Sequence, residues 1–307
     1  MRKRVLYTLI ILFWSVCATK AQIDPLFFQQ TQLRGLVNPA ATGKGGDINA
    51  SVTTRQQWIG FSGMSSNALM AHGFINELRS GIGAMFVMDE YGPTQTKNIK
   101  LNYAFFVHFD DFAFLSLGMG AGIMSNVYKG SEYFRAREPN DPTVPVETKT
   151  NVSPDFDFGV EFNTSHFEIG GSIAHITYGY NDQNTVRPMR NWYAYTRAKV
   201  PMNRYWDFIP GVTWYFNRWQ TIYEVNAGVR LNNNLCVNVA YRNPMSLGMS
   251  VGLTVYEGFR LAYSYDYGFD NLMAYNSGSH EITISYKILM NTSYIGNRLR
   301  FFQWKMF

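Results

Sequence analysis

Ser246-Leu247-Gly248-Met249-Ser250-Val251-Gly252-Leu253-Thr254-Val255 alternates without a break between a large apolar residue and a small or polar one. A two-residue period places Leu247, Met249, Val251, Leu253 and Val255 on one face of a β-strand and Ser246, Gly248, Ser250, Gly252 and Thr254 on the other. The pattern recurs in segments of about ten residues from Ile48 to Ile288, and no stretch between them shows the 3.6-residue period of an amphipathic helix. Repeated short strands with one apolar and one polar face predict an all-β protein, a transmembrane antiparallel β-barrel.

The first 21 residues are a separate matter. Arg2, Lys3 and Arg4 precede the apolar run Val5 to Val16, and Thr19-Lys20-Ala21 follows as a cleavage site. This is the layout of a secretory signal peptide, and about twelve apolar residues fall short of the roughly twenty that a spanning helix needs. Cys17 follows Val16, where a lipoprotein signal calls for a smaller residue. Setting the signal aside lowers the formal net charge from +5 to +1, so the basic balance belongs to targeting and predicts no nucleic-acid partner. Cys236 is then the only cysteine, which excludes an internal disulfide and a cysteine metal cluster. The expected organisation is a signal peptide over 1–21, a periplasmic or lumen segment over 22–47, a barrel over 48–289 and a tail over 290–307.

Strands are expected near 48–58, 65–76, 80–88, 97–109, 112–127, 155–163, 167–178, 191–200, 205–216, 220–231, 235–242, 245–256, 259–267 and 280–289. That makes about 14, an even number that suits a bacterial barrel. Asn76-Glu77-Leu78-Arg79, Asp110-Asp111, Asn163-Thr164-Ser165, Met202-Asn203-Arg204, Asn232-Asn233-Asn234 and Glu257-Gly258 have tight-turn chemistry, each joining an even strand to the next odd one. The long connections, Asp89 to Thr96, Lys129 to Pro154, Gly179 to Arg190 and Gly268 to Ser279, fall at the opposite end. Short periplasmic turns and long surface loops are the expected orientation, with both termini in the periplasm of a Gram-negative cell. Tyr263, Tyr265 and Tyr267, and Trp206, Phe208, Val212, Trp214 and Phe216, lie on the apolar phase and suit an aromatic girdle in contact with outer-membrane lipid.

A soluble sandwich or a large lipocalin-like barrel is the competing fold, but neither needs outward residues so uniformly apolar on consecutive strands. Pro210 conflicts with a closed barrel, which has no free edge to tolerate a missing amide donor, and calls for a bulge or a different strand boundary. The last strand alternates Ile282, Ile284, Tyr286 and Ile288 with Thr283, Ser285 and Lys287. Beyond it, Phe301, Phe302, Trp304 and Phe307 stand among Arg298, Arg300 and Lys305, suited either to a periplasmic partner or to the barrel rim.

Catalytic signatures fail on context. Gly248-Met249-Ser250-Val251-Gly252 matches a nucleophile elbow in letters, but that motif needs a sharp strand-to-helix turn, and here it lies within a strand. Gly118, Gly120 and Gly122 share a strand face and read as tight interior packing, not as a phosphate loop. Asp155, Asp157 and Glu161 share a face and could hold Ca²⁺ or act as an acid/base pair. The same inward phase elsewhere carries Arg55, Lys100, Arg197, Lys199, Arg230, Arg242, Arg260 and Lys287, so an ion-paired lumen is the simpler reading. His72, His108, His166, His175 and His280 have no metal-ligand spacing. No enzyme activity, cofactor or metal is expected.

Gln22-Ile23-Asp24-Pro25, Asn38-Pro39-Ala40-Ala41-Thr42-Gly43 and Arg55-Gln56-Gln57-Trp58-Ile59-Gly60-Phe61 occur in that order near the start of the mature chain. With Asp89, Gly92-Pro93, Asn102-Tyr103-Ala104 and the closing His280-Glu281-Ile282, they resemble the PorP/SprF outer-membrane proteins of the Bacteroidota, from about Gln22 to Ile288. The tail beyond departs from the family's usual ending. The resemblance implies a non-catalytic barrel of the type IX secretion system. Its partners would be secretion subunits, or a secreted surface adhesin (or its C-terminal domain) displayed for gliding. It also makes Asn38, Pro39, Arg55 and Trp58 candidate partner-binding residues, against the plainer reading of Asn38-Pro39 as a turn and Trp58 as a girdle residue. The alternative is an outer-membrane transport channel similar to the fatty-acid transporters. Those barrels also use about fourteen strands, although this chain is short for them and its inward face is charged.

Overall fold

A computed structural model describes residues 24–30, 32–60, 64–109, 113–130, 147–177, 189–232, 234–244, 246–256, 258–269 and 276–288. The predicted signal peptide, the Asp110-Asp111 turn and the tail after Ile288 lie outside the described residues.

The strands are β1 (Ile48–Gln56), β2 (Met64–Ile75), β3 (Ser80–Tyr91), β4 (Thr94–His108), β5 (Ala113–Lys129), β6 (Thr148–Thr164), β7 (Phe167–Ala174), β8 (Asn191–Ala198), β9 (Val200–Pro201), β10 (Trp206–Phe216), β11 (Thr221–Leu231), β12 (Leu235–Arg242), β13 (Ser246–Tyr256), β14 (Phe259–Gly268) and β15 (Ser279–Ile288). Apart from β8 and β9, which both pair with β10, each pairs antiparallel with its sequence neighbour, and β1 pairs with β15 from Ile48↔Ile288 to Gln56↔His280, which closes the sheet. β8 and β9 meet β10 in one continuous register and form a single interrupted strand. Fifteen pieces therefore make a closed barrel of fourteen staves. Closure pairs the backbone groups that a sheet edge would leave bare, the condition for strands to cross hydrocarbon.

The alternation of the sequence becomes an inside and an outside. Val52 is 51% and Leu101 68% exposed, whereas their chain neighbours Thr53 and Lys100 are 1% exposed. Facing water, each such outward side chain would forgo about 1.5–3 kcal/mol of burial. Leu247, Met249, Val251, Leu253 and Val255 alone are five of them in one strand, so this surface is built for lipid.

Three details differ from the sequence expectation. β3 and β4 run to a tight turn at Gly92-Pro93, so Asp89 to Thr96 is mostly strand and not loop. β6 begins at Thr148, ahead of the expected Asp155. Pro210 sits inside β10 with no edge beside it. The β8–β10 pairing lapses between Gly211↔Arg197 and Phe208↔Val200, so the missing donor falls opposite the break between β8 and β9.

Candidate functional site

The segment from Asp24 to Asp47 does not hang outside the barrel; it is threaded through the lumen. It contains two single 3₁₀ turns, η1 (Arg34–Leu36) and η2 (Pro39–Ala41). Asn38 caps η2, its Oδ1 accepting from the Ala40 N–H at 2.9 Å, and Pro39 occupies the first helical position, where no donor is needed. The Asn38 amide then donates outward to Val160 O at 3.1 Å and to the Tyr195 hydroxyl at 2.8 Å. The wall makes room for this turn with glycine. A Cβ on Gly118 of β5 would lie 2.1 Å from Ala40 N, and one on Gly159 of β6 would lie 1.9 Å from Asn38 Oδ1. Gly118 and Gly159 are thus the imprint of the N-terminal segment on the wall, whereas Gly120 and Gly122 make room for wall side chains such as Asn102 and Lys100.

Polar side chains of the wall satisfy the segment's backbone, as a buried irregular chain requires. Glu281, fully buried on β15, accepts from the Phe28 and Gln29 N–H groups at 2.7 and 2.8 Å. Asn102 donates to Gly35 O, Ser172 donates to Val37 O, and the Gly43 N–H donates to His72 Nδ1. Charge is matched in the same way. Arg34 and Lys44 of the segment reach Glu168 at 2.8 and 2.6 Å, Lys44 also reaches Glu161 at 2.8 Å, and Arg197 adds a third cation to Glu168 at 2.9 Å. Asp47 takes Lys287 at 2.7 Å where the segment enters β1. Elsewhere in the lumen Arg242 pairs with Glu224 and Asp266, and Lys100 with Asp155 and Asp157. Removing one member of such a buried set strands the others, at a cost of about 3–5 kcal/mol.

At the segment's start, His175 lies between two carboxylates. Its Nε2 is 2.9 Å from Asp24 and its Nδ1 is 2.9 Å from Asp155. Burial, the largest single effect, pulls the imidazole down, but the Asp24 charge together with the hydrogen bonds to Asp155 and Asp24 outweighs it, and His175 is raised to about 10. Burial would likewise raise Asp24; the His175 charge and the hydrogen bonds from His175 and Tyr193 hold it well below the usual carboxylate range. Ligand atoms of Asp155, Asp157 and His175 lie within 4.8 Å of one another. Lys100 Nζ already stands 2.8 and 2.6 Å from the two aspartates, so the cluster is a closed ion network with its cations supplied by the protein.

Asn38 and Pro39 come together in this segment, against β5, β6 and β8. Arg55 faces the lumen from β1, 2.9 Å from Asp266 and 3.5 Å from Glu281. Trp58 is at the rim after β1, in the left-handed region at φ 51°, its N–H donating to Ser279 Oγ at 3.2 Å and its ring 6.4 Å from that of Tyr91. The structure therefore joins the first pair and separates it from Arg55 and from Trp58. Sequence reasoning missed Asp24, Glu168, His175 and Glu281 as the residues that fix the segment, because their partners lie up to 253 positions away.

Comparison with known proteins gives a consistent result. No curated protein matches the chain. Among solved structures it is similar in fold to a "TodX deltaS2S3 mutant monoaromatic hydrocarbon channel" at 9% identity and TM-score 0.50, covering 82% of this chain and 93% of that one. It is also similar to the Pseudomonas putida toluene transporter TodX, at 8% identity and TM-score 0.48, covering 86% and 94%. A Pseudomonas aeruginosa FadL homologue matches at 12% identity and TM-score 0.45, covering 81% and 91%. At 9% identity the first of these likenesses speaks for the barrel fold alone. The family described as "Type IX secretion system membrane protein PorP/SprF" matches residues 19–286, a range that takes in the whole lumen segment and runs into the last strand. This chain belongs to the PorP/SprF family of type IX secretion system membrane proteins.

Proposed function

We propose that the protein is a non-catalytic outer-membrane barrel that anchors a secreted adhesin at the cell surface, or links the type IX machine to the outer membrane. The observation that carries this reading is the lumen segment. A chain belonging to a secretion family spends some two dozen residues crosslinking its own interior, which suits a rigid scaffold and leaves its rims as the surfaces for partners. In this reading the short turns face the periplasm and the long connections face the cell surface. Trp58 and its neighbour Tyr91 belong to the partner-facing rim at the long-connection end, with Arg55 supporting the same stave from inside. Asn38 and Pro39 act from a distance by seating the segment.

Deleting the gene tests this reading. The expected result is loss of one or more type IX cargo proteins from the cell surface, with general outer-membrane composition unchanged. Surface proteomics identical to wild type, with undisturbed gliding and secretion, would sink it.

A further inference from the structure

The outward face of the barrel is graded along its staves, and on β8 and β10 the gradient ends on two arginines at the long-connection end. Trp192 and Phe216 are register partners on these strands, both outward, with rings stacked 5.9 Å apart and 6° from parallel. One residue further out, Asn217 Nδ2 donates to Asn191 Oδ1 at 3.3 Å, so the register continues into the turn. Asn191 and Asn217 follow the inward phase, which puts Arg190 and Arg218 at the next outward positions, side by side above the aromatic pair. In the other direction along the same wall come Trp214 and Tyr223, again register partners, and then Val212 and Val225. Charge, then aromatic rings, then aliphatic side chains is the order in which a membrane presents headgroup, interface and hydrocarbon, so the two guanidinium groups stand at headgroup depth.

Both arginines are exposed, and among the described residues neither has an ion pair. Arg190 donates to Ile176 O at 2.9 Å, and Arg218 lies over the Trp219 ring, 5.1 Å from its centroid. Those contacts use one of the many N–H donors that two guanidinium groups offer. Like charges placed opposite one another on neighbouring strands repel, so the pair calls for an anion between them. The outward faces of β7, β8, β10 and β11 hold no carboxylate among the described residues, so that anion comes from outside the chain.

We propose that Arg190 and Arg218 clamp the phosphate of a phosphorylated glycolipid headgroup in the surface-facing leaflet of the outer membrane. The inference rests on the orientation proposed above, in which the long connections face the cell surface. A phosphate suits the pair because its several oxygens can accept from two forked guanidinium groups at once. A lipid also brings acyl chains to the face below, where Trp192, Phe216, Trp214 and Tyr223 are each 38–42% exposed. An acidic peptide would engage the arginines alone.

The test is native mass spectrometry of the full chain in mild detergent with added lipid A, its fully dephosphorylated form, or phosphatidylglycerol. One lipid A per chain is expected, held at least about tenfold more tightly than the dephosphorylated form and weakened to a similar degree in R190S/R218S. R204S removes an exposed arginine from the short turn at the opposite end of the barrel and should leave binding unchanged. Heat-modifiable gel mobility checks the fold of each variant; if the double variant fails it, R218S alone carries the test, with severalfold weaker binding. Absence of a lipid A adduct, or equal binding by the folded variants, overturns the proposal. Phosphatidylglycerol bound as tightly as lipid A would overturn the glycolipid assignment. Orientation is read separately, by labelling W219C on intact cells with a membrane-impermeant maleimide; Cys236 is buried and adds no background. Labelled cells without lipid A binding reject the clamp and keep the orientation, whereas an unlabelled W219C rejects the orientation and the surface-leaflet clamp with it.

Discussion

Asp24 and His175 show how one residue pair sets the pH range of the lumen closure. His175 is raised from 6.5 to about 10, so its contribution is complete below about pH 6.5 and is lost as pH rises through 10. Asp24 is lowered from 3.8, so its contribution is complete above about pH 4 and is lost as pH falls through the lower folded value. The contact is therefore strongest between about pH 4 and 6.5. Asp155, Asp157, Lys100 and Tyr193 are the other charged and titratable groups around the pair, and the loss above neutrality is that of His175 as pH approaches 10. His175→Gln is expected to cost about 3 kcal/mol at pH 5–6, as for a broken buried pair, and much less at pH 9. The check is the difference in thermal midpoint between wild type and variant in detergent at both pH values; a difference that does not change with pH rejects the assignment. The sequence held part of this site. The inward phase of Asp155 and Asp157 and the charged lumen were legible, since they follow from a two-residue period. The contact of His175 with Asp24 was not, because no local spacing encodes a pairing across 151 positions.

At the scale of elements, η2 and the wall strands β5 and β6 fit only because Gly118 and Gly159 have no side chains. Gly118→Leu leaves the β4–β5 and β5–β6 ladders intact but puts its Cβ into the backbone of Ala40, so the turn has to move and overpacking of about 1–3 kcal/mol falls on the segment. The expected outcome is a folded barrel in which trypsin cleaves after Arg34 or Lys44, both shielded in the native lumen; a variant as resistant as wild type would contradict the fit. The elements were legible in uneven degree. Most stave boundaries agree within a few residues, because one lipid face and one inner face impose strict alternation. The alternation fails where a strand rises clear of the lipid. Thr148 to Ser153, the missed start of β6, has no buried residue on either face, so nothing there selects apolar residues on alternate positions. The two 3₁₀ turns carry no period at all. Their presence was hinted at only by the inward glycines, which said that something packs against the wall but not what.

The whole molecule poses a question of volume. In barrels of about eight strands the wall's own side chains fill the interior, whereas 16 to 18 strands enclose a water channel. Fourteen staves fall between, wider than their own side chains can close, and the Asp24–Asp47 segment supplies the missing material. Closure of this kind predicts that the intact protein in a planar bilayer shows no steady conductance, whereas removal of residues 24–42 opens a persistent pore. The wall should survive that deletion. Glu281, Glu161 and Glu168 would exchange partners in the segment for water filling the lumen, and the hydrogen-bond ladder that holds the barrel runs only between strands. Steady conductance by the intact protein at the level of the deletion would show that the segment does not seal the lumen, and would turn the molecule from a scaffold toward a transport channel. Silence from both would locate the seal elsewhere in the chain. The expected pair, silent intact protein and conducting deletion, makes the N-terminal segment the difference between a scaffold and a pore built on the same fourteen strands.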